Sequence, residues 1–515
     1  MLAVVKSMAL DGLTGYLVSI QVDISDGLPC FEIVGLPDIS IRESKQRVKT
    51  AIKNTKMNVN SKKIIINLAP ANTKKEGSKF DFPIAIGILI ANGNIKNRNI
   101  KQLLSESIFI GELSLNGKLE KVNGVLAITI EAKKLGIKRI FLPSENSKEA
   151  SVINGIDILP VNNLYEIIEY LNGNIEISTF PIQEIKLLNN YNYEFDFEEV
   201  KGQELAKRAL EISAAGGHNC ILIGSPGSGK TMLAKRFCSI LPDMNLEEAL
   251  EVTKIYSLEG LIPKNNPLMT TRPYRTPHYT VTKTALIGGG KIPKPGEISL
   301  AHYGILFLDE LPEFNKNTLE VLRAPLEDNI VTISRVNATL TYPCDFMFVA
   351  SMNPCPCGFY GASDKECNCS EQAINKYMGR ISGPLLDRID IQIEVTPVKY
   401  EKLQVENNEI ETSEVIKARV NSARKIQLER YKDDKIYSNS QLTPKLVEKY
   451  CKLDSESKKI LQYAFDKLHL SARAHVRILK VSRTIADLSE KENIQKEHIA
   501  EAIQYRNLDK KYWKN

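Results

Sequence analysis

One stretch constrains this chain more than any other. Residues 220–236, CILIGSPGSGKTMLAKR, pass from a short apolar run through a glycine-rich loop into a helical segment. Four consecutive apolar residues bounded by glycine read as a buried strand. In the loop Gly224-Ser225-Pro226-Gly227-Ser228-Gly229-Lys230-Thr231, glycines let backbone N–H groups turn inward around phosphate, and the helix start adds its positive end. Lys230 is then placed to reach the β- and γ-phosphates, and the Thr231 hydroxyl to ligate magnesium. ATP with Mg²⁺ is the expected ligand pair.

Two further apolar runs end in chemistry. GILFLDE, residues 304–310, closes on Asp309 and Glu310. At the end of a strand beside a phosphate loop, Asp309 would hold the magnesium and Glu310 would orient and polarise the attacking water, the task that separates a hydrolase from a nucleotide binder. DFMFVASMNP, residues 345–354, puts Asn353 at a strand end, where its amide can reach the γ-phosphate or the water. Taken alone, Asn-Pro reads as a turn. Short apolar strands alternating with helical segments over residues 200–395 predict a parallel sheet with helices on both faces.

The rest of the chain brackets this core. At 515 residues, a chain of this length is expected to hold about three domains. Residues 1–180 mix strand signals (LTGYLVSIQVDIS and PCFEIVGL around an Asp-Gly turn, then KKIIINLAP) with the helical NGVLAITIEAKKLGI, an α+β pattern. Residues 181–199 lose periodicity and read as a linker, and residues 396–515 are mostly helical by pattern, AHVRILKVSRTIADLS being the clearest amphipathic stretch. Lys plus Arg number 68 against 62 Asp plus Glu, a net charge of +6, which permits nucleic-acid contact without demanding it. The N-terminus lacks the basic and apolar regions of a signal peptide, and no stretch reaches the ~18 uninterrupted apolar residues of a membrane span. A cytoplasmic protein with no membrane partner is expected.

Four of the nine cysteines, Cys355, Cys357, Cys367 and Cys369, fall within fifteen residues as two C-x-C pairs. Sulfurs around tetrahedral zinc sit ~3.8 Å apart, from a Zn–S bond of ~2.3 Å, so two such pairs can complete a four-thiolate shell. Structural zinc is the leading reading, with packed reduced thiols and a redox switch as rivals.

The order of these motifs, with GPLLDRID (383–390) and SARAHVRIL (471–479) following, resembles the AAA+ ATPases of the magnesium-chelatase-like branch. Within that branch RTPHYTVTKTALIGGGKIPKPGEISLAHYGILFLDELPEF and MNPCPCGFYG look like the YifB/ComM family, and the likeness runs over nearly the whole chain. The resemblance implies a homo-oligomeric ring, six being the family's number, with sites shared between subunits. It implies that Arg388 reaches the neighbour's γ-phosphate, with Arg380 a weaker candidate, and that Arg473 is the second sensor on a C-terminal helical lid.

The N-terminal domain resembles the Lon-protease-like domain of this family. Lys79 stands where that protease has its serine, with Ser78 one position early, and Leu126 stands where it has its lysine. A nucleophile without its base is not activated, so no proteolysis is expected. By resemblance the load is single-stranded or branched DNA, moved by ATP-driven branch migration or helicase action on recombination intermediates during natural transformation. Arg335, at the tip of a hairpin turning at Val336-Asn337, and Lys291 and Lys294, in a flexible Gly/Pro loop, are the candidate phosphate contacts. The alternative is an ATPase that remodels a protein partner.

Overall fold

The computed structural model describes residues 2–57, 62–183, 195–263, 266–290, 293–335, 338–362, 365–398, 411–434, 436–468 and 470–513. The chain divides into two compact units, residues 1–187 with 249–269, and residues 188–248 with 270–515. Residues 249–269, inside the range that periodicity assigns to the ATPase core, thus belong with the N-terminal unit.

The first unit carries a four-stranded sheet in the order Leu2–Asp11, Thr14–Ser25, Lys63–Ala69, Cys30–Val34, and a parallel three-stranded sheet of Ser107–Phe109, Arg139–Pro143 and Asp157–Val161. Thr14–Ser25 and Cys30–Val34 flank Asp26-Gly27 but do not pair, since Lys63–Ala69 lies between them. Beyond Asp81, whose carboxylate pairs with Arg47 at 2.7 Å, the helix Asp81–Ala91 (DFPIAIGILIA) is apolar all round, and it is buried at every residue, as a helix with no polar face must be. A Cβ at Gly87 would come within 2.6 Å of Val22 Cγ2, so glycine there lets the helix press onto the sheet.

The second unit is built on five parallel strands in the order Tyr274–Arg275, Ile305–Leu308, Met347–Met352, Cys220–Ile223, Ile391–Glu394. Three of them, Ile305–Leu308, Met347–Met352 and Cys220–Ile223, are buried throughout, which is why they read as apolar runs, interrupted only by Ser351, instead of alternating ones. Ile223 aligns with Met352 and Leu308 with Ala350. The segments that follow these strands therefore emerge at one carboxyl edge, where ligands of open α/β sheets bind.

Helices Glu204–Gly216, Ser413–Arg430 and Ala472–Leu488 contribute to the same apolar core as the strands. Helices Pro444–Tyr450, Ser455–Leu468 and Lys496–Gln504 complete the helical C-terminal region. Two sequence expectations shift here. Phe197–Glu199 forms a helical turn, its Phe197 N–H donating to Ser413 Oγ at 2.8 Å, so the end of the supposed linker is packed into the second unit. The Gly/Pro loop is partly a hairpin, Gly288–Gly289 pairing with Lys294–Pro295. Among the described residues no helix is long and apolar enough to cross a membrane.

Candidate nucleotide-binding site

Every carboxyl-edge residue singled out by its sequence pattern arrives at one place. The loop from Gly224 to Gly229 follows the buried strand Cys220–Ile223 and opens into the helix Lys230–Arg236. Gly227 and Gly229 adopt φ of 78° and 93°, the left-handed region that favours glycine. Gly224 serves a different need, because a Cβ there would lie 2.2 Å from the Val395 carbonyl.

Lys230 Nζ donates to the carbonyls of Gly224 at 2.8 Å and Ser225 at 2.9 Å, and to Asn353 Oδ1 at 3.2 Å. Burial lowers its pKa, opposed by Asp309 and Glu310. Thr231 Oγ1 donates to Asp309 Oδ2 at 2.8 Å. Asp309 Oδ1 accepts from the Ser351 hydroxyl and from the Glu310 N–H, the latter at 3.1 Å. Glu310 is exposed and left-handed, with φ of 54°. A non-glycine residue held there marks a place where the fold over-determines the backbone, and here it turns the chain directly after Asp309.

Ser351 did not stand out in the sequence, although a signal was present. Along a strand, alternate residues share a face, so Ser351 precedes Asn353 by one repeat, and the two side chains hold Asp309 and Lys230 respectively.

The arginines divide. Arg380 lies beside the turn that follows Glu310, its Nη1 donating to the Pro312 carbonyl at 2.9 Å and to Glu313 at 3.1 Å. Arg388 lies at the opposite edge of the sheet. Its carbonyl accepts from Asn219 Nδ2 at 2.9 Å, just before the strand that leads into the phosphate loop. The Arg388 guanidinium donates to the Pro384 carbonyl at 2.7 Å and pairs with Glu327. Arg473 is brought to Arg388 and not to Lys230. Both line a cleft of about 760 Å³ with Asp387, Arg477 and Lys480, and Arg473 Nη1 lies 3.4 Å from Asp387 Oδ2.

The buried Asp390 anchors this edge. It accepts from the Asn219 N–H at 3.2 Å, pairs with Arg477, and lies 3.4 Å from His218 Nδ1. Burial alone would raise its pKa, but Arg477 and His218 outweigh burial and hold the carboxyl well below the usual carboxylate range.

After Asn353 the chain enters the cysteine loop. Cys355 Sγ lies 3.3 Å from Cys357 Sγ and 3.6 Å from Cys367 Sγ, and the last two are 3.5 Å apart. All four sulfurs, Cys369 included, fall within 4.8 Å of one another. The N–H groups of Gly358 and Tyr360 donate to Cys355 Sγ at 3.2 and 3.3 Å. The Phe359 N–H, with the neighbouring cysteines, lowers the Cys357 thiol to about 6, while burial and the same neighbours push Cys367 and Cys369 up, so one proton's loss is favoured and the next opposed. Sulfurs close to the edge length of a zinc tetrahedron, already receiving N–H donors, suit a divalent cation bound as thiolate.

The other candidates fall elsewhere. Arg335 and Lys294 are exposed, and a Cβ at Gly289 would lie 2.8 Å from Arg335 Nη2, so the two hairpins meet. The strands Ile330–Arg335 and Ala338–Pro343 pair with Arg335 opposite Ala338. Lys291 and the turn residues Val336 and Asn337 lie outside the described residues. In the first unit the Ser78 hydroxyl donates to Glu112, and Leu126 is fully buried in the helix Val125–Lys134.

Three family descriptions match the chain in series: "Subunit ChlI of Mg-chelatase" over residues 20–146, "Magnesium chelatase, subunit ChlI" over 196–403, and "Magnesium chelatase, subunit ChlI C-terminal" over 410–506. The chain is 42% identical to the competence protein ComM of Haemophilus influenzae over 508 residues, 98% of this chain and 97% of that protein. It is 41% identical to the uncharacterized protein YifB of Escherichia coli over 99% of this chain and 98% of that one. A more distant likeness, 27% identical over 39% of this chain and 27% of the other, is to the 67 kDa magnesium-chelatase subunit of Chlorobaculum parvum.

Proposed function

Since this chain belongs to the ComM/YifB family of magnesium-chelatase-like AAA+ ATPases, we propose that it is an ATP-driven ring motor acting on single-stranded or branched DNA. The observation that carries the reading is the separation of its charged groups. Lys230, Thr231, Asp309, Glu310 and Asn353 gather at the carboxyl edge of the sheet, whereas Arg388 and Arg473 stand at the amino edge. From Asn219 to Gly224 is five residue steps, roughly 16 Å of strand. An arginine so placed serves the γ-phosphate of a neighbouring copy, not its own, and a closed ring gives every site its neighbour.

Within one site, Lys230 exchanges its loop carbonyls for the β- and γ-phosphates. Thr231 and Asp309 offer oxygens 2.8 Å apart, close to the ~2.9 Å edge of an octahedron with ~2.05 Å bonds, which fits magnesium. When bound, Mg²⁺ neutralises charge on the phosphate oxygens. Glu310 takes the proton of the water that attacks the γ-phosphorus as its bond to the ADP oxygen breaks, Asn353 orients that water, and Arg388 from the neighbour stabilises charge on the γ-phosphoryl oxygens. The four cysteines hold a structural zinc ion.

The word competence in the name of the Haemophilus relative supports a role with recombination intermediates in natural transformation, in the cytoplasm, by branch migration or unwinding. The exposed Arg335 and Lys294, on two touching hairpins, supply sequence-independent phosphate contacts. The N-terminal unit is not a protease, since Leu126 offers no amine to activate Ser78. The test is ATP hydrolysis with and without four-way-junction DNA. Stimulation supports the DNA motor, whereas no stimulation and no gel shift at low salt would transfer the motor to a protein substrate.

A further inference from the structure

The loop that follows Asn353 gathers four sulfurs, and its backbone lies against the phosphate loop. Gly358 has φ of +86°, and a Cβ there would meet Pro226 Cδ at 2.4 Å and Cγ at 2.7 Å. The same Gly358 donates its N–H to Cys355 Sγ at 3.2 Å. One residue is thus held by a ligand sulfur on one side and pressed on the phosphate loop on the other.

The contact is backed from behind. The Tyr360 ring lies 6.3 Å from that of Tyr512, and a Cβ at Gly361 would lie 3.6 Å from Lys511 Cε. Lys511 pairs with Glu394, and the Tyr512 hydroxyl donates to the same carboxylate at 3.0 Å. Glu394 precedes Val395, whose carbonyl bars any side chain at Gly224. The phosphate loop is therefore gripped twice, at Gly224 by the last strand and at Pro226 by the cysteine loop.

We infer that the four-cysteine knuckle is a positioning element for the nucleotide site: metal in the cluster holds Gly358 against Pro226, and nucleotide affinity depends on that metal. The inference rests on reading the phosphate loop as the ATP site. Sulfurs 3.3 to 3.6 Å apart match the spacing of a tetrahedral metal shell. A metal there ties Cys355 to three other points of the loop, and Gly358, bonded to Cys355 Sγ, loses that anchor when the metal is withdrawn.

The test uses the full-length protein as purified under reducing conditions. Zinc is counted by elemental analysis and then removed with a zinc-selective chelator. Binding of a fluorescent non-hydrolysable ATP analogue is measured in magnesium, alongside emission from Trp513, the chain's single tryptophan, whose ring lies 6.2 Å from that of Tyr512. Removal is expected to weaken analogue binding by about tenfold or more, the effect of losing one close approach worth ~1.4 kcal/mol, with Trp513 emission shifting in step and both reversed by added zinc. Gly358→Ala should keep its zinc and still bind the analogue about tenfold more weakly, since its Cβ would run into Pro226 Cδ at 2.4 Å and push the phosphate loop aside.

Binding that stays within about twofold after removal, or fewer than about 0.3 zinc per native chain for a single tetrahedral site, would overturn the inference while leaving the ATP site intact. Failure of the zinc-loaded wild type to bind the analogue at all would instead remove the ATP reading. Should Gly358→Ala not fold, chelator removal and zinc rescue decide alone.

Discussion

Thr231 and Asp309 meet across an intervening strand: the threonine hydroxyl donates to the aspartate at 2.8 Å although Met347–Met352 separates their two strands in the sheet. Neither residue reaches the other by chance of local sequence. Parallel order and register bring the two strand ends to one edge. If these oxygens share a magnesium ion, Thr231→Ala and Asp309→Asn should each lower magnesium-dependent ATP hydrolysis by about 100-fold, one lost charge-assisted contact of ~3 kcal/mol. Magnesium-free ADP affinity should barely change. A steady-state phosphate-release assay beside an ADP titration checks both halves.

Glu310 gives a sharper separation, because its backbone is left-handed and its carboxylate also acts electrostatically on Lys230. Glu310→Gln should bind ATP normally, hydrolyse it about 10² to 10⁴ times more slowly as expected for loss of a general base, and trap the assembled ring. Glu310→Gly should be equally inactive yet more stable by about 1 kcal/mol, since glycine relieves the left-handed conformation. Single-turnover kinetics and thermal melting of the two variants would expose any other outcome.

The part of this molecule that sequence revealed best is the part where local pattern and chemistry coincide. The phosphate loop, Asp309-Glu310 and Asn353 each follow an apolar run, interrupted only by Ser351, and burial of those strands on both faces makes the runs conspicuous. Arg473 was legible as a candidate but not as to place, because a helix pattern says nothing about which edge of a distant sheet it covers. Gly358 carried no readable signal either. Its contact with Pro226 crosses more than a hundred residues of chain and leaves only a glycine behind. The assignment of residues 249–269 to the N-terminal unit was hidden because a run of helical period carries no mark of which core its residues join.

Asp390 predicts how the Arg388 edge responds to acid. A carboxyl whose folded pKa is depressed contributes stability that is present above its unfolded value of 3.8 and is lost as pH falls below it. The second unit should therefore keep a level melting temperature from pH 8 to about 5 as far as this group is concerned, and lose stability below about 4. Asp390→Asn takes from Arg477 its carboxylate partner while Lys480 stays nearby, and should cost about 3 kcal/mol at neutral pH. Its melting curve should draw steadily closer to the wild type as pH falls below 3.8 toward the depressed folded value, where the wild type loses the contribution of its carboxylate. A constant offset at every pH would show that Asp390 acts through shape alone.

The division of charged groups between two edges makes its own prediction about stoichiometry. Lys230→Ala removes the phosphate loop's cation but leaves Arg388 free to serve a neighbour. Arg388→Ala does the reverse, and alone should lower turnover by about 10³-fold, the lower end for loss of an arginine finger. Both variants should be nearly inactive by themselves. Mixed in equal amounts and allowed to exchange subunits, they create junctions where an intact loop faces an intact arginine. For random head-to-tail contacts that is about one junction in four, so about a quarter of wild-type turnover should return. An arginine acting on its own subunit's nucleotide cannot be rescued this way, because neither variant chain holds both groups. A mixture as inactive as its components, despite demonstrated subunit exchange, would mean that Arg388 does not complete its neighbour's site, and the proposed sharing would then rest on Arg473 or Arg380.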